Sequence, residues 1–356
     1  MNRKRIVLGA GQCGMKLANR FFRTYKDSEG LISLSTSVED SVGIPKTGLI
    51  QVSKSGSGKK FSRGSSIWEK NINEISKEFR KVKDSDVIYF SSAGGGSGSS
   101  SIKYVTDVLL ANNNRVFLVL VLPFDYENLP YKPNALQSLS KLQDEGYTNR
   151  ISVLVFDNDK LGKDYYDIEY SGDGKEIKRP NLEHINDHII STTSIVVDLV
   201  EKYHLKDKYS PFSIDALEHE SVIFSNGILG VDFKKYEEGP TNVKFDYGKI
   251  SDAKNVVIAK AVNTHVSDYQ IDQNTAIFMD VVKKISRKSK NARVISGIIR
   301  TNQIDDATYI IIGNNLDITK YIEKTKNKIS TSIESYRQVN ERDKVLEENE
   351  YEMFDV

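Results

Sequence analysis

The sequence predicts an α/β protein: a doubly wound, mostly parallel sheet, a long central helix, a smaller α/β unit after it, and a C-terminal helix ending in an acidic tail. Three observations carry that expectation. Short apolar runs alternate with stretches of helical spacing through the first half of the chain. Two glycine-rich segments each follow one of those runs, and an apolar stripe of helical period continues unbroken from Leu182 to Tyr203.

Taken in order, residues 5–8, 31–34, 49–52, 86–90, 115–122 and 151–156 are short and apolar and read as strands, while 15–25, 67–82, 102–111 and 133–145 have helical spacing. Strands separated by helices pair in parallel and are buried on both faces, and such sheets bind ligands beyond the carboxyl ends of their strands. Chemistry is therefore expected in the loops that follow the strands. In the long helix Ile185, Ile189, Ile190, Ile195, Val196, Leu199 and Val200 form the apolar face. Further on, 256–262, 293–299 and 308–312 read as strands around a helix near 272–287. A charged helix with the thin stripe Ile318, Ile322, Ile329 and Ile333 then leads into an acidic end. The units expected are 1–181, the helix 182–204, 205–315, the terminal helix 316–346 and the tail 347–356.

A chain of 356 residues has room for about two domains. With 50 Lys and Arg against 49 Asp and Glu, the net charge of +1 supplies no global field for nucleic acid or an anionic membrane, so direct binding to either is not expected. Cys13 is the single cysteine, which excludes an intramolecular disulfide and argues against a structural zinc site; a reducing, cytoplasmic setting is expected. The apolar run at the N-terminus is too short for a signal peptide, and no stretch is apolar enough to span a bilayer.

The first strand runs straight into Gly9-Ala10-Gly11-Gln12-Cys13-Gly14. Glycines there let a phosphate approach backbone N–H groups, and the following helix adds the positive end of its dipole. The spacing also fits a dinucleotide site, but the second strand ends Ser35-Thr36-Ser37, with Glu39 and Asp40 displaced into the loop rather than placed for a ribose. A second segment, 92–100 with Gly94-Gly95-Gly96-Ser97-Gly98, lies between the strand 86–90 and its return helix. A flexible linker does not fit between a buried strand and its helix, so both segments are expected to hold one phosphate chain.

In these residues the chain resembles the tubulin superfamily, which includes the bacterial division tubulins. Gly11-Gln12-Cys13-Gly14 is similar to the family's first phosphate loop, and Gly94 to Ser99 to its glycine-rich signature, with Ser97 where threonine is usual. The resemblance implies GTP or GDP as ligand with Mg²⁺ on the phosphates. It makes Glu127 the ribose ligand, Asn158 a guanine-edge ligand and Asp187 the second base reader. A carboxylate at 187 accepts from guanine's ring N–H and exocyclic amine, which adenine does not offer. Three positions depart from the division branch: Glu183 replaces a stacking ring, Tyr131 an arginine, and the strand ending at Ser37 lacks an aspartate.

In this family the acid that positions the attacking water acts on the nucleotide of the next subunit. Asp215 and Glu218 fill that role, with Ser213 in place of the usual asparagine. The rival stretch 227–235 puts Lys235 where the acid belongs and is expected to be the strand after a short helix. Asp215 followed three residues later by Glu218 also fits an ordinary helix start. The extra terminal helix and Ser97 resemble the plasmid- and phage-encoded partition tubulins, TubZ. That branch implies a GTPase forming head-to-tail filaments that carry DNA through an adaptor protein bound at the C-terminal region. Two alternatives stay open: a non-hydrolysing regulatory GTP-binding subunit, from Ser213 and Lys235, and an NAD-dependent oxidoreductase, from Gly9, Gly11 and Gly14 alone.

Overall fold

The computed structural model describes residues 3–25, 28–127, 131–172, 174–203, 214–235, 242–245, 248–263, 265, 268–301, 304 and 308–316, with short helical pieces between 319 and 334. Ser213, the acidic segment 347–356 and most of the helix expected over 316–346 lie outside the described residues.

The early strands are β1 (Lys4–Ala10), β2 (Gly30–Ser35), β3 (Leu49–Gln51), β4 (Ser85–Ser92), β5 (Arg115–Leu122) and β6 (Ser152–Asp157). Their order is β3-β2-β1-β4-β5-β6, all parallel, so the order reverses between β1 and β4. The later strands are β9 (Gly227–Lys235), β10 (Asn255–Val262), β11 (Arg293–Arg300) and β12 (Thr308–Leu316), and they continue the same sheet. β9 pairs in parallel with β6, Ser152 opposite Gly227, and β12 alone runs antiparallel, between β9 and β10. The α/β class and the mostly parallel sheet agree with expectation, and 227–235 is the strand anticipated for it.

Helices cover both faces because alternate strand residues point to opposite sides. Leu8 and Tyr89 join one core with Trp68 of α2 (Phe61–Lys70), Phe79 immediately after α3 (Ile72–Glu78), Val105 of α4 (Gly96–Ala111), Leu139 of α5 (Tyr131–Asp144) and Phe278 of α9 (Asp268–Lys288). Val7, Ile88 and Phe90 face the other core. There they meet Phe21 of α1 (Gly11–Thr24), Ile189 and Val196 of α7 (Leu182–Tyr203), and Val222 of α8 (Ala216–Ile223).

Several elements differ from the sequence expectation. The helix expected over 67–82 begins earlier and is broken at Asn71, whose Nδ2 donates to the Ile67 carbonyl at 2.8 Å and ends α2. The second glycine segment is not a loop to residue 101: α4 starts at Gly96, and two of its buried serines donate back to the helix, Ser100 to Gly96 O and Ser101 to Gly98 O, both at 2.5 Å. Serine and glycine disfavour a helix by propensity, but inward hydroxyls satisfied on the preceding turn remove that penalty. Likewise α1 starts at Gly11 rather than Met15. Short α6 (Asn158–Asp164) and the hairpin β7 (Tyr166–Tyr170) with β8 (Glu176–Pro180) were not anticipated; the hairpin residues are mostly exposed.

Candidate nucleotide site

At the carboxyl end of β1 and β4, where the strand order reverses, the N-termini of α1 and α4 converge. Gly11 has φ +68°, and a Cβ there would lie 2.7 Å from the Gly98 nitrogen. The two glycine elements are thus in contact, backbone to backbone. Neither helix is capped by a side chain at its N-cap, Ala10 or Gly95, and neither has an acid in its first turn. Their first-turn N–H groups and positive dipole ends face one space, the arrangement that suits a phosphate chain.

That space is a cleft of about 470 Å³. The sequence-predicted residues Gly11, Gln12, Cys13, Gly94, Gly95, Gly96, Ser97, Gly98, Glu127 and Asn158 all line it. Trp68 Nε1 donates to the Ser97 carbonyl at 3.0 Å, and Ser97 Oγ bonds to Thr36 Oγ1 and lies 3.2 Å from Ser57 Oγ, so the start of α4 is tied to β2 and to the loop before α2. Burial pushes the Cys13 thiol up to about 11, assisted by the Glu127 charge, which keeps it neutral and unreactive. Glu127 is raised, first by desolvation, although its Oε2 accepts from the Phe124 N–H at 2.8 Å. Asn158 opens α6 and has its Oδ1 buried with no hydrogen-bond partner, so a donor brought into the cleft would relieve a standing cost.

Three groups were missed as site residues. Glu39 and Asp40 reach into the cleft from the turn after β2, Asp40 Oδ2 lying 3.4 Å from Ser97 Oγ; desolvation, then the Glu39 charge against the opposing Ser97 bond, raises Asp40. The segment 55–59 forms a further wall, and its bias toward Ser, Gly and Lys was the available signal. Tyr131 also lines the cleft.

Asp187, Asp215 and Glu218 are not in this cleft. Asp187 and Glu183, one turn apart on α7, both hold Arg20 of α1 at 2.5 Å. Asp215 is the N-cap of α8, its Oδ1 accepting from Leu217 N at 2.8 Å and Glu218 N at 3.1 Å, and Glu218 pairs with Arg293 at 2.5 Å. Nearby on α8, Glu220 accepts from Arg115, which also clasps Asp86; these two residues open β5 and β4. The cleft lies at the far ends of the same strands, at Ser92 and Leu122. Seven residues at ~3.3 Å each separate the two ends by about 23 Å.

The family model for the GTPase domain of the Tubulin/FtsZ family matches residues 4–165. No curated protein sequence matches the chain. Among solved structures, the GTPγS-form protofilament of Bacillus thuringiensis serovar israelensis TubZ superposes with a TM-score of 0.76 at 14% identity, over 97% of this chain and 96% of that one. TubZ of Clostridium botulinum phage c-st gives 0.65 at 14%, over 94% and 100%. The GTPγS-bound protofilament of CetZ2 from Haloferax volcanii gives 0.67 at 17%, over 94% and 99%. The fold is shared over 94–97% of the chain, the glycine elements that make the cleft fall inside the matched segment, and residues 4–165 are accordingly similar to the GTPase domain of the Tubulin/FtsZ family.

Proposed function

We propose that the chain binds GTP in the cleft, polymerises head to tail, and hydrolyses the nucleotide at the contact between subunits. The observation that carries this reading is the separation just described: α8, which carries Glu218, meets the amino ends of β5 and β4 through the Glu220–Arg115–Asp86 contacts, and the cleft lies at their carboxyl ends, about 23 Å of strand away. A carboxylate there cannot reach its own nucleotide, but it sits at the opposite, amino-terminal end of the strands, the surface a head-to-tail neighbour presents to the cleft. Both protofilament neighbours are GTPγS forms, as their descriptions state.

In this reading the N–H groups of α1 and α4 hold the phosphates, Glu127 takes the ribose, and Asn158 reads the base through its unpartnered Oδ1. Asp187 joins it once Arg20 turns away. Asp40 and Glu39 fit a Mg²⁺ on the phosphates, since a cation would relieve the desolvation and mutual repulsion that raise Asp40; when bound, the ion neutralises phosphate charge. Glu218 of the next subunit orients the attacking water, and Asp215 holds the first turn of α8 that carries it. Segregation of plasmid or phage DNA through an adaptor bound near the C-terminus is the cellular role that the TubZ likeness favours, in the cytoplasm.

A non-hydrolysing GTP-binding subunit is favoured by one observation, the Glu218–Arg293 pair, which occupies the acid in the free subunit. One experiment separates the two: light scattering and phosphate release followed together in GTP and Mg²⁺, for wild type and Glu218→Ala. The expected result is assembly that decays as GTP is consumed for wild type, and assembly that persists for the variant. Assembly without phosphate release by wild type favours the non-hydrolysing subunit, and no assembly at all overturns the filament reading.

A further inference from the structure

A nucleoside triphosphate brings several negative charges into a cleft already lined by Glu39, Asp40 and Glu127. Among the described residues that line it, Lys59 is the one basic side chain. The resemblance leads one to expect an arginine at 131, and tyrosine stands there. Yet the Lys59 Nζ lies 5.2 Å from the centroid of the Tyr131 ring, so a cation occupies that region from a different loop.

The loop is held for this. Gly56 N–H donates to the Thr36 carbonyl at 2.8 Å. Asn134, buried, donates from Nδ2 to both the Lys59 and Gly94 carbonyls at 2.8 Å and accepts from Phe61 N–H at 3.1 Å, which fixes Lys59 against the second glycine element. A Cβ on Gly96 would meet Ser57 Oγ at 2.5 Å and Lys60 N at 2.7 Å, so the loop packs directly on the start of α4. Lys59 itself has φ +59°, a left-handed conformation that costs a non-glycine residue energy and persists where surrounding contacts over-determine it.

We propose that Lys59, resting on Tyr131, is the side-chain cation that neutralises the nucleotide's phosphate chain, in the place where a related protein would use arginine at 131. The assignment rests on the nucleotide reading above. It predicts that charge at this spot matters and that its chain position does not.

The test titrates the full-length chain with GTPγS and with GDP, each with Mg²⁺, by calorimetry, at two salt concentrations. Lys59→Met is expected to weaken GTPγS binding by about tenfold or more, as loss of a charge-assisted contact does, and to flatten its salt dependence. Lys59→Arg is expected to retain binding, and Lys59→Met with Tyr131→Arg to recover it, with unchanged melting curves throughout. Binding by Lys59→Met within about twofold of wild type, well inside the cost of one charged contact, overturns the assignment while leaving the nucleotide reading intact. A loss that neither arginine reverses also overturns it, because packing of the loop would then be the cause. If wild type binds neither nucleotide, the underlying reading falls first and the assignment with it.

Discussion

His219 sits on α8 with 2% of its surface exposed and its Nε2 without a hydrogen-bond partner, beside the buried pair of Arg5 and Asp198. Burial first, then the Arg5 charge, lowers its imidazole from 6.5 to about 4, against a hydrogen bond with the Val196 backbone that raises it. The folded state therefore refuses a proton that the unfolded chain accepts. Its contribution to stability is complete above pH 6.5 and is lost as pH falls through the interval down to about 4. At about 1.4 kcal/mol per pH unit, this amounts to about 3 kcal/mol. Urea unfolding from pH 8 to pH 4 is expected to show that slope in wild type and a shallower one in His219→Leu. Parallel curves would mean that the ring already finds a proton acceptor in the folded chain. At this scale the cleft-lining glycines were legible in the sequence from their place after β1 and β4, and Glu127 and Asn158, which also line the cleft, from the family resemblance. Lys59 and Asp40 were not, because their approach depends on how the loops after β2 and β3 fold back over α4, and no local spacing encodes that.

Among the elements, α8 separates a structural role from a chemical one. Asp215 both opens the helix and is the proposed partner of Glu218 in catalysis. Its cap bonds to Leu217 and Glu218 N–H can be made equally by an asparagine. Asp215→Ala is expected to destabilise the chain by about 1 kcal/mol, whereas Asp215→Asn keeps the melting temperature. If the asparagine variant also loses GTP turnover, the carboxylate acts in hydrolysis; if turnover survives, Asp215 is a cap and nothing more. The long helix and most strands followed from periodicity, since buried parallel strands and a one-sided helix leave strong patterns. α4 was read too short because six consecutive serines and glycines at its start look like a loop, and it is their buried contacts, the Ser101 hydroxyl with Tyr89 and the Gly98 and Ser97 carbonyls with Ser91 and Trp68, that hold them as helix. The continuity of the sheet was equally hidden: β9 joins β6 through three residue pairs, and pairing between distant strands has no signature in either segment alone.

On the scale of the molecule, the cleft and α8 with Glu218 lie at opposite ends of the strands of one sheet, and that placement makes a prediction which a self-contained enzyme would fail. In the proposed reading a productive contact needs a nucleotide in one subunit and Glu218 in the other, so it needs neither subunit to be whole. Glu218→Ala keeps the cleft and loses the acid. Gly11→Ala keeps the acid and loses the cleft, since its methyl would stand 2.7 Å from Gly98 N at a backbone conformation with φ +68°. Each variant alone is expected to release no phosphate from GTP. Mixed in equal amounts at a concentration where wild type assembles, they are expected to recover about a quarter of wild-type turnover, because one in four random head-to-tail contacts pairs an occupied cleft with an intact acid. That contact requires one bound nucleotide, so the cleft-defective subunit can still dock as the upper partner of a competent one. Turnover that rises with total subunit concentration in the mixture fixes the reaction at the interface. Silence in the mixture, with an active wild type and both variants folded and co-sedimenting, would mean that Glu218 is needed in the same subunit as the nucleotide, and phosphate release by Glu218→Ala alone would remove Glu218 from the reaction.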